Sequence, residues 1–246
     1  MSDTLVNRRD LDFNLYEILN VEELTSHPYF EDHSKETFTM ALDAAYQLAQ
    51  EMFWPKYQEF DGQECHMKDG QAIVPEGMKE IWNALRDGGW FSAGADAEMD
   101  GQQFPSVVHL AYSMMFSASN TSAAMYMGLT NGAAHLLQAF SSAELVEKYV
   151  KPMYAGKYGG TMCLTEPQAG TSLGDIKSTA EKVDGEDYYI IRGTKRFISS
   201  GDHDLAENII HPVLAKIEGA PSGVKGISLF IVPKFRVNDD NSIGES

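Results

Sequence analysis

The residues with the clearest chemical potential lie in one run, Thr161-Met162-Cys163-Leu164-Thr165-Glu166-Pro167-Gln168-Ala169-Gly170-Thr171-Ser172-Leu173-Gly174-Asp175. It begins as a short apolar strand and runs into a loop of small and hydroxyl residues. Such a loop presents backbone N–H groups and hydroxyls with no bulky side chain in the way. That suits a planar, polar-edged ligand, whose ring oxygens and nitrogens need several fixed donors. On local chemistry alone, an ordinary strand-to-turn segment is the simpler account. Glu166 adjoins the loop, and a role in fixing it, ahead of Pro167, is favoured over a role as a base. Asp202, His203, Asp204 and His211 gather acids and imidazoles without a metal-ligand spacing, so surface or loop hydrogen bonding is the expectation. His109 and His135 fall within helical patterns and are expected to be packed. Cys163 is expected to face the interior. Met114, Met115, Met125 and Met127 suit either a pliable pocket wall or plain core packing. There is no Walker loop, no GxGxxG after a strand, no GxSxG and no HExxH.

These residues need elements to hold them. Phe38, Leu42, Ala45, Ala49, Met52 and Phe53 recur at steps of three and four and predict a helix that Pro55 stops or kinks. A second helix opens near Pro75, shows Met78, Ile81, Trp82 and Leu85 on one face, and ends at Gly88-Gly89. Pro105 opens a third. Asn120-Thr121-Ser122 caps a fourth that reaches about Leu137, and both are apolar enough to be central. Ser141 with Glu144 has capping-box spacing for a short helix up to Val150. Near Ala155 the pattern changes to glycine-punctuated turn and strands. Strands are expected over Ser178–Val183, Tyr188–Ser199, Ile209–Ile217 and Gly226–Val232, with Asp184-Gly185-Glu186-Asp187 as a hairpin turn. Asn238-Asp239-Asp240-Asn241 resembles another hairpin tip with no return strand after it. The expectation is therefore an α+β chain, with an N-terminal all-α helical domain over residues 1–155 and a β-barrel-like middle domain over 156–246. A truncated or partner-completed end is expected, because an open sheet edge is normally covered.

The chain has 246 residues, 43% hydrophobic content and a formal net charge of −17. So acidic a protein is repelled by nucleic acid and anionic membranes. Cys65 and Cys163 form no disulfide framework or zinc spacing, and free thiols in a reducing compartment are expected. The apolar stretch Leu110–Leu137 is broken by serines, a threonine and asparagines, so it reads as core helix, and the protein is expected to be soluble and cytoplasmic.

Leu164-Thr165-Glu166-Pro167 with Ala169-Gly170 resembles the T-E-P-x-A-G signature of acyl-CoA dehydrogenases. Gly193-Thr194-Lys195-Arg196-Phe197-Ile198-Ser199 resembles that family's second signature, and the likeness continues through Val224–Pro233. Finer features are similar to the larger 3-methylmercaptopropionyl-CoA dehydrogenase-like subfamily. The resemblance implies an FAD-dependent oxidoreductase of fatty-acid metabolism that converts an acyl-CoA to its 2-enoyl-CoA. Its partner would be an electron-transfer flavoprotein, and it would be a homo-oligomer when full length. Met162, Leu164 and Thr165 would face the flavin. Gly170 and Thr171 would lie near the FAD pyrophosphate, with Thr171 also near the acyl-CoA pantetheine. Phe197, Ile198 and Ser199 would pack beside the ring. Phe197 stands where relatives often carry Trp, and Ser172 where they commonly carry Asp, so that acid's bond is lost unless Asp175 supplies it. The family's base is a Glu of a C-terminal α domain that is missing here, so the chain alone is expected to be inactive. An acyl-CoA oxidase and an inactive binding or scaffold fragment are the alternatives.

Overall fold

The computed structural model describes residues 5–244. The helical half begins with α1 (Arg8–Asp12), capped by the Asn7 side chain. Helix α2 (Lys35–Leu48) opens on a reciprocal capping box between Ser34 and Thr37. A π-turn, Ala49–Phe53, carries it into α3 (Trp54–Asp61). Pro55 lies in the first turn of α3, where a missing N–H costs nothing, so it marks an irregular joint rather than an end.

Next comes a hairpin that the sequence reading passed over, β1 (His66–Lys68) and β2 (Gln71–Ile73). Its turn is Asp69-Gly70, both left-handed at φ 51° and 80°, the conformation that Asp-Gly favours in a two-residue hairpin. Helix α4 (Met78–Asp87) buries the four expected apolar residues. It starts at Met78, three residues after Pro75, with a left-handed Gly77 as its N-cap.

Helix α5 (Ser106–Phe140) is two helices in line. Asn120 has extended dihedrals (φ −160°, ψ 92°), and its side-chain oxygen accepts from the Ala123 N–H. The cap expected at Asn120-Thr121-Ser122 is therefore present, as a joint inside one long rod. Ser142, not Ser141, caps the short α6 (Ala143–Leu145). The chain then passes through a π-turn at Val146–Val150, and α7 (Lys151–Tyr154) accommodates Pro152 in its first turn.

The sheet half begins at β3 (Tyr158–Gly160), a strand hidden by its glycines. It joins β4 (Thr179–Lys182), β5 (Tyr189–Arg192), β6 (Asn208–Ile217) and β7 (Ile227–Pro233) in one mixed sheet. The long strand β6 is its spine. On one edge it pairs with β7 antiparallel. On the other it pairs with β3 and then β4, both parallel. The parallel line runs on past β3, since the Thr161 and Cys163 N–H groups donate to Ile210 and Pro212 carbonyls. The segment Leu164–Lys177 is thus an excursion between two strands that share one neighbour. The return strand absent from the sequence reading also exists in miniature. Val237 pairs with Ile243 across a turn at Asn241.

The two halves meet where α5 lies against β3. Ala133, Ala134, Leu137, Val150 and Met153 from the helices pack with Tyr158, Ile210 and Val237. Thr130 Oγ1 accepts from the Gly160 N–H at 3.1 Å. A Cβ on Gly160 would sit 2.8 Å from the Ala133 Cβ, so the approach requires glycine. No helix among the described residues is long and apolar enough to cross a membrane.

Candidate functional site

The period of two along residues 161–164 decides which groups are spent and which are free. Thr161 and Cys163 pair with β6 and are buried at 1% and 6% exposure. Met162 and Leu164 alternate with them and are only half-buried. On the buried side the Thr161 hydroxyl meets His211 Nδ1 at 2.8 Å. Burial pushes the Cys163 thiol up and the His211 imidazole down from their ordinary values, so both are neutral packing groups.

Beyond Leu164 the chain turns around Glu166. Its carboxylate is buried and takes hydrogen bonds from the Lys177 N–H (2.6 Å), the Ser178 N–H (3.0 Å), the Gln168 amide (2.7 Å) and the Lys195 ammonium (2.8 Å). Burial alone would raise its pKa. The Lys177 amide and Lys195, with Ser178, outweigh that and hold it down to about 2. So committed a carboxylate is a permanent anion that anchors the loop and cannot accept a further proton near neutrality. Lys195 also donates to the Leu164 carbonyl at 3.1 Å, and the Arg196 N–H donates to the Thr165 carbonyl at 2.9 Å. The two signature segments, thirty residues apart, are therefore stitched side by side.

The strand expected over Tyr188–Ser199 ends at Arg192. Lys195 and Arg196 bond to the neighbouring loop instead of a strand, and Phe197 and Ser200 turn left-handed at φ 59° and 56°. The Phe197 ring is 80% exposed, with the Arg196 guanidinium 4.7 Å from its centroid. Ile198 is half-buried and Ser199 exposed. Gly170 and Thr171 lie on the open outer part of the loop. Thus Met162, Leu164, Thr165, Phe197, Ile198 and Ser199 belong to two stitched segments, while Gly170 and Thr171 stand further along the first. Asp175 is exposed in a short 3-10 turn.

The supply of donors fits a ligand with several acceptors. Among the described residues, the N–H groups of Thr165, Gly170, Thr171, Ser172, Ile198 and Ser199 have no hydrogen-bond partner, nor do the hydroxyls of Thr165, Thr171 and Ser199. Three consecutive free amides at 170–172 suit an anionic group such as a phosphate.

Asp202, His203 and Asp204 make the loop hydrogen bonds expected of them, but with distant partners and around a buried ring. His203 is not on the surface: it is 1% exposed, between Trp82 (5.7 Å) and Tyr126 (5.3 Å). Burial depresses its pKa to about 4. Asp202 accepts from the Ala72 N–H and pairs with Lys234 at 2.5 Å, and Asp204 accepts from the Val74 N–H. Their separation of 130 residues from the hairpin left no local signal. Among the described residues no group of three or more His, Cys, Asp or Glu side chains could hold a metal ion.

A cavity of about 460 Å³ runs along α5, lined among others by His109, Met125, Met127, Gly128, Asn131 and His135. His109 is packed, stacked on Tyr112 at 4.9 Å, whereas His135 is exposed. The methionines divide. Met115 and Met127 are buried in the core, and Met114 and Met125 stand on the open face.

The family model for the N-terminal domain of acyl-CoA dehydrogenases matches residues 35–157, and that for the middle domain matches residues 161–244. A butyryl-CoA dehydrogenase of Syntrophomonas wolfei is 36% identical over 98% of this chain and 40% of its own length. The 3-methylmercaptopropionyl-CoA dehydrogenase of Ruegeria pomeroyi is 38% identical over 79% of this chain and 33% of its own. Among solved structures, butyryl-CoA dehydrogenase from Megasphaera elsdenii superposes with a TM-score of 0.66 at 21% identity, over 82% of this chain and 49% of that one. The chain therefore spans well under half the length of these two curated relatives, and about half that of the solved one.

Proposed function

The chain belongs to the acyl-CoA dehydrogenase family, and from that premise we propose that it forms one face of an FAD and acyl-CoA site whose complete form oxidises an acyl-CoA thioester to its 2-enoyl-CoA. The observation that carries this reading is the stitching of Leu164–Glu166 to Lys195–Arg196, which sets two runs of uncommitted donors side by side. The Thr165 amide and hydroxyl meet the polar edge of the flavin. Met162 and Leu164 supply the apolar contact beneath it, and Phe197, Ile198 and Ser199 wall its side. The free amides at Gly170 and Thr171 hold the pyrophosphate, with Thr171 also reaching the pantetheine. A flavin held there would supply the acceptor for the hydride of the acyl β-carbon.

The chain's own share of the work is binding, orientation and exclusion of water. The α-proton passes to a base outside these loops, because Glu166 is already an anion held by four donors. In this reading the helical unit is residues 1–155 and the sheet unit 156–246. The substrate is an acyl-CoA, of which 3-methylmercaptopropionyl-CoA is one candidate. Electrons leave to an electron-transfer flavoprotein, the complete protein is a cytoplasmic homo-oligomer, and this chain alone binds flavin weakly and turns over negligibly.

The test compares this chain with the complete polypeptide carrying it, each titrated with FAD and then with butyryl-CoA, following the visible flavin band. The complete polypeptide bleaches and Thr165→Val weakens its FAD binding. Rapid bleaching by the short chain, or no change with Thr165→Val, would overturn the assignment.

A further inference from the structure

Five residues past Phe197 the chain leaves the sheet half and enters the helical half. His203 is a peg in an aromatic socket made by Trp82 and Tyr126. Its floor is Gly159, where a Cβ would lie 2.8 Å from the His203 ring. Its Nδ1 accepts from the Leu205 N–H at 3.2 Å, and Leu205 belongs to the helical core. On either side, Asp202 and Asp204 take the Ala72 and Val74 N–H groups of β2 and its continuation at 3.3 and 3.2 Å. Lys234, following β7, ties Asp202 back to the sheet.

Between Thr165 and this latch, Phe197 and Ser200 both hold left-handed backbone, a conformation that persists in non-glycine residues only where the surroundings over-determine it. The Arg196–Thr165 bond fixes one end of that turn. The Ile198 carbonyl takes the Gly201 N–H at 3.1 Å, which closes the turn but attaches it to nothing. The other end is fixed by the latch.

Resting on the flavin reading of Phe197–Ser199, we propose that Asp202-His203-Asp204 is a positioning element, which sets the Ile198 and Ser199 donors and the Phe197 wall from the helical half of the molecule. None of the three touches the cofactor. They act through the turn, so their loss alters how FAD is held as well as how firmly the chain is folded.

The test uses the complete polypeptide loaded with FAD and four variants. Asp204→Ala removes the acceptor for Val74. Asp204→Asn keeps an oxygen there. His203→Phe keeps the ring but loses the Nδ1 acceptor. Thr165→Val reports on the flavin site itself. Readouts are the FAD dissociation constant, the flavin absorption maximum and the melting temperature. Asp204→Ala and His203→Phe are expected to weaken FAD by about tenfold and to shift the band, with Asp204→Asn close to the parent. If both lower the melting temperature and leave FAD affinity and the band unchanged while Thr165→Val weakens FAD, the latch is structural only and the inference falls. If Thr165→Val is also silent, it is the flavin reading that falls. Should His203→Phe fail to fold, the Asp204 pair decides alone.

Discussion

Two anchors hold the two loops of the site, and they work by opposite electrostatics. Glu166 fixes its loop as a buried anion surrounded by four donors. His203 fixes the neighbouring turn as a buried neutral ring among aromatic side chains. Burial penalises the charged form of both. In Glu166 the partners overcome that penalty. In His203 they do not, although Asp202 and Asp204 oppose the effect of burial. One anchor therefore depends on keeping its charge and the other on never acquiring one.

Removing the charge of Glu166 should be the costliest way to break that comparison. Glu166→Gln leaves the Lys195 ammonium, 12% exposed, without its counter-ion and sets an amide N–H₂ against donors. A loss of about 3–5 kcal/mol in denaturant unfolding is expected, as for other broken buried pairs. A cost below about 1 kcal/mol would mean that Lys195 and the loop amides find water instead.

Acid separates the anchors without mutation. The folded pKa of His203, about 4, lies below its unfolded value of about 6.5. Its contribution is complete above pH 6.5 and is lost as pH falls toward 4, up to about 3 kcal/mol. Glu166 is also depressed, from an unfolded value near 4.5 to about 2, so its share survives that window and disappears only below it. Asp202, Asp204, Lys234 and His211 face the histidine and spread the transition. Stability measured from pH 7 to 4 should therefore decline steadily in the parent and less steeply in His203→Phe, where His109 and His211, also held down by burial, still contribute. An equal slope in both would locate the effect elsewhere.

A third contact belongs to neither anchor and bounds what they do. Gly160→Ala drives a methyl group toward the Ala133 Cβ and the Thr130 backbone beneath the start of the first loop. A loss of about 1–3 kcal/mol in thermal unfolding is expected from that overpacking. An unchanged melting temperature would show that α5 can withdraw from β3, and that the halves are joined mainly by the latch.

How much of this the sequence disclosed depends on the range of the contacts. The Asn120 cap was legible because Asn-Thr-Ser satisfies N–H groups within three residues. The strand β3 was not, because Tyr158-Gly159-Gly160 carries no β-branched residue and its glycines are there for the close approach to α5 and His203. Phe197 and Ile198 read as strand, yet Lys195 and Arg196 bond to the Glu166 loop and pull the segment out of the sheet. The residues proposed for the site stand in the two signatures, whereas the anchors beside them also draw on partners as far as 29 and 130 residues away. Local pattern names the candidate groups. Long-range pairing decides where they stand.

The smallest expected effect probes that last distinction at a single residue. Phe197 exposes most of its ring and holds φ at 59°. Glycine there would relieve about 1–2 kcal/mol of left-handed strain. It would also add about 0.5–1 kcal/mol of chain entropy to the unfolded state and forgo about 0.5 kcal/mol of stacking with Arg196. These terms nearly cancel, so Phe197→Gly should leave unfolding stability within about 0.5 kcal/mol of the parent. A purely structural residue would stop there. A flavin wall predicts in addition that the complete polypeptide binds FAD more weakly and that its flavin band moves. Stability lost by more than about 1 kcal/mol with flavin binding intact would make the ring a packing element, and would return the left-handed turn to the fold rather than to the site.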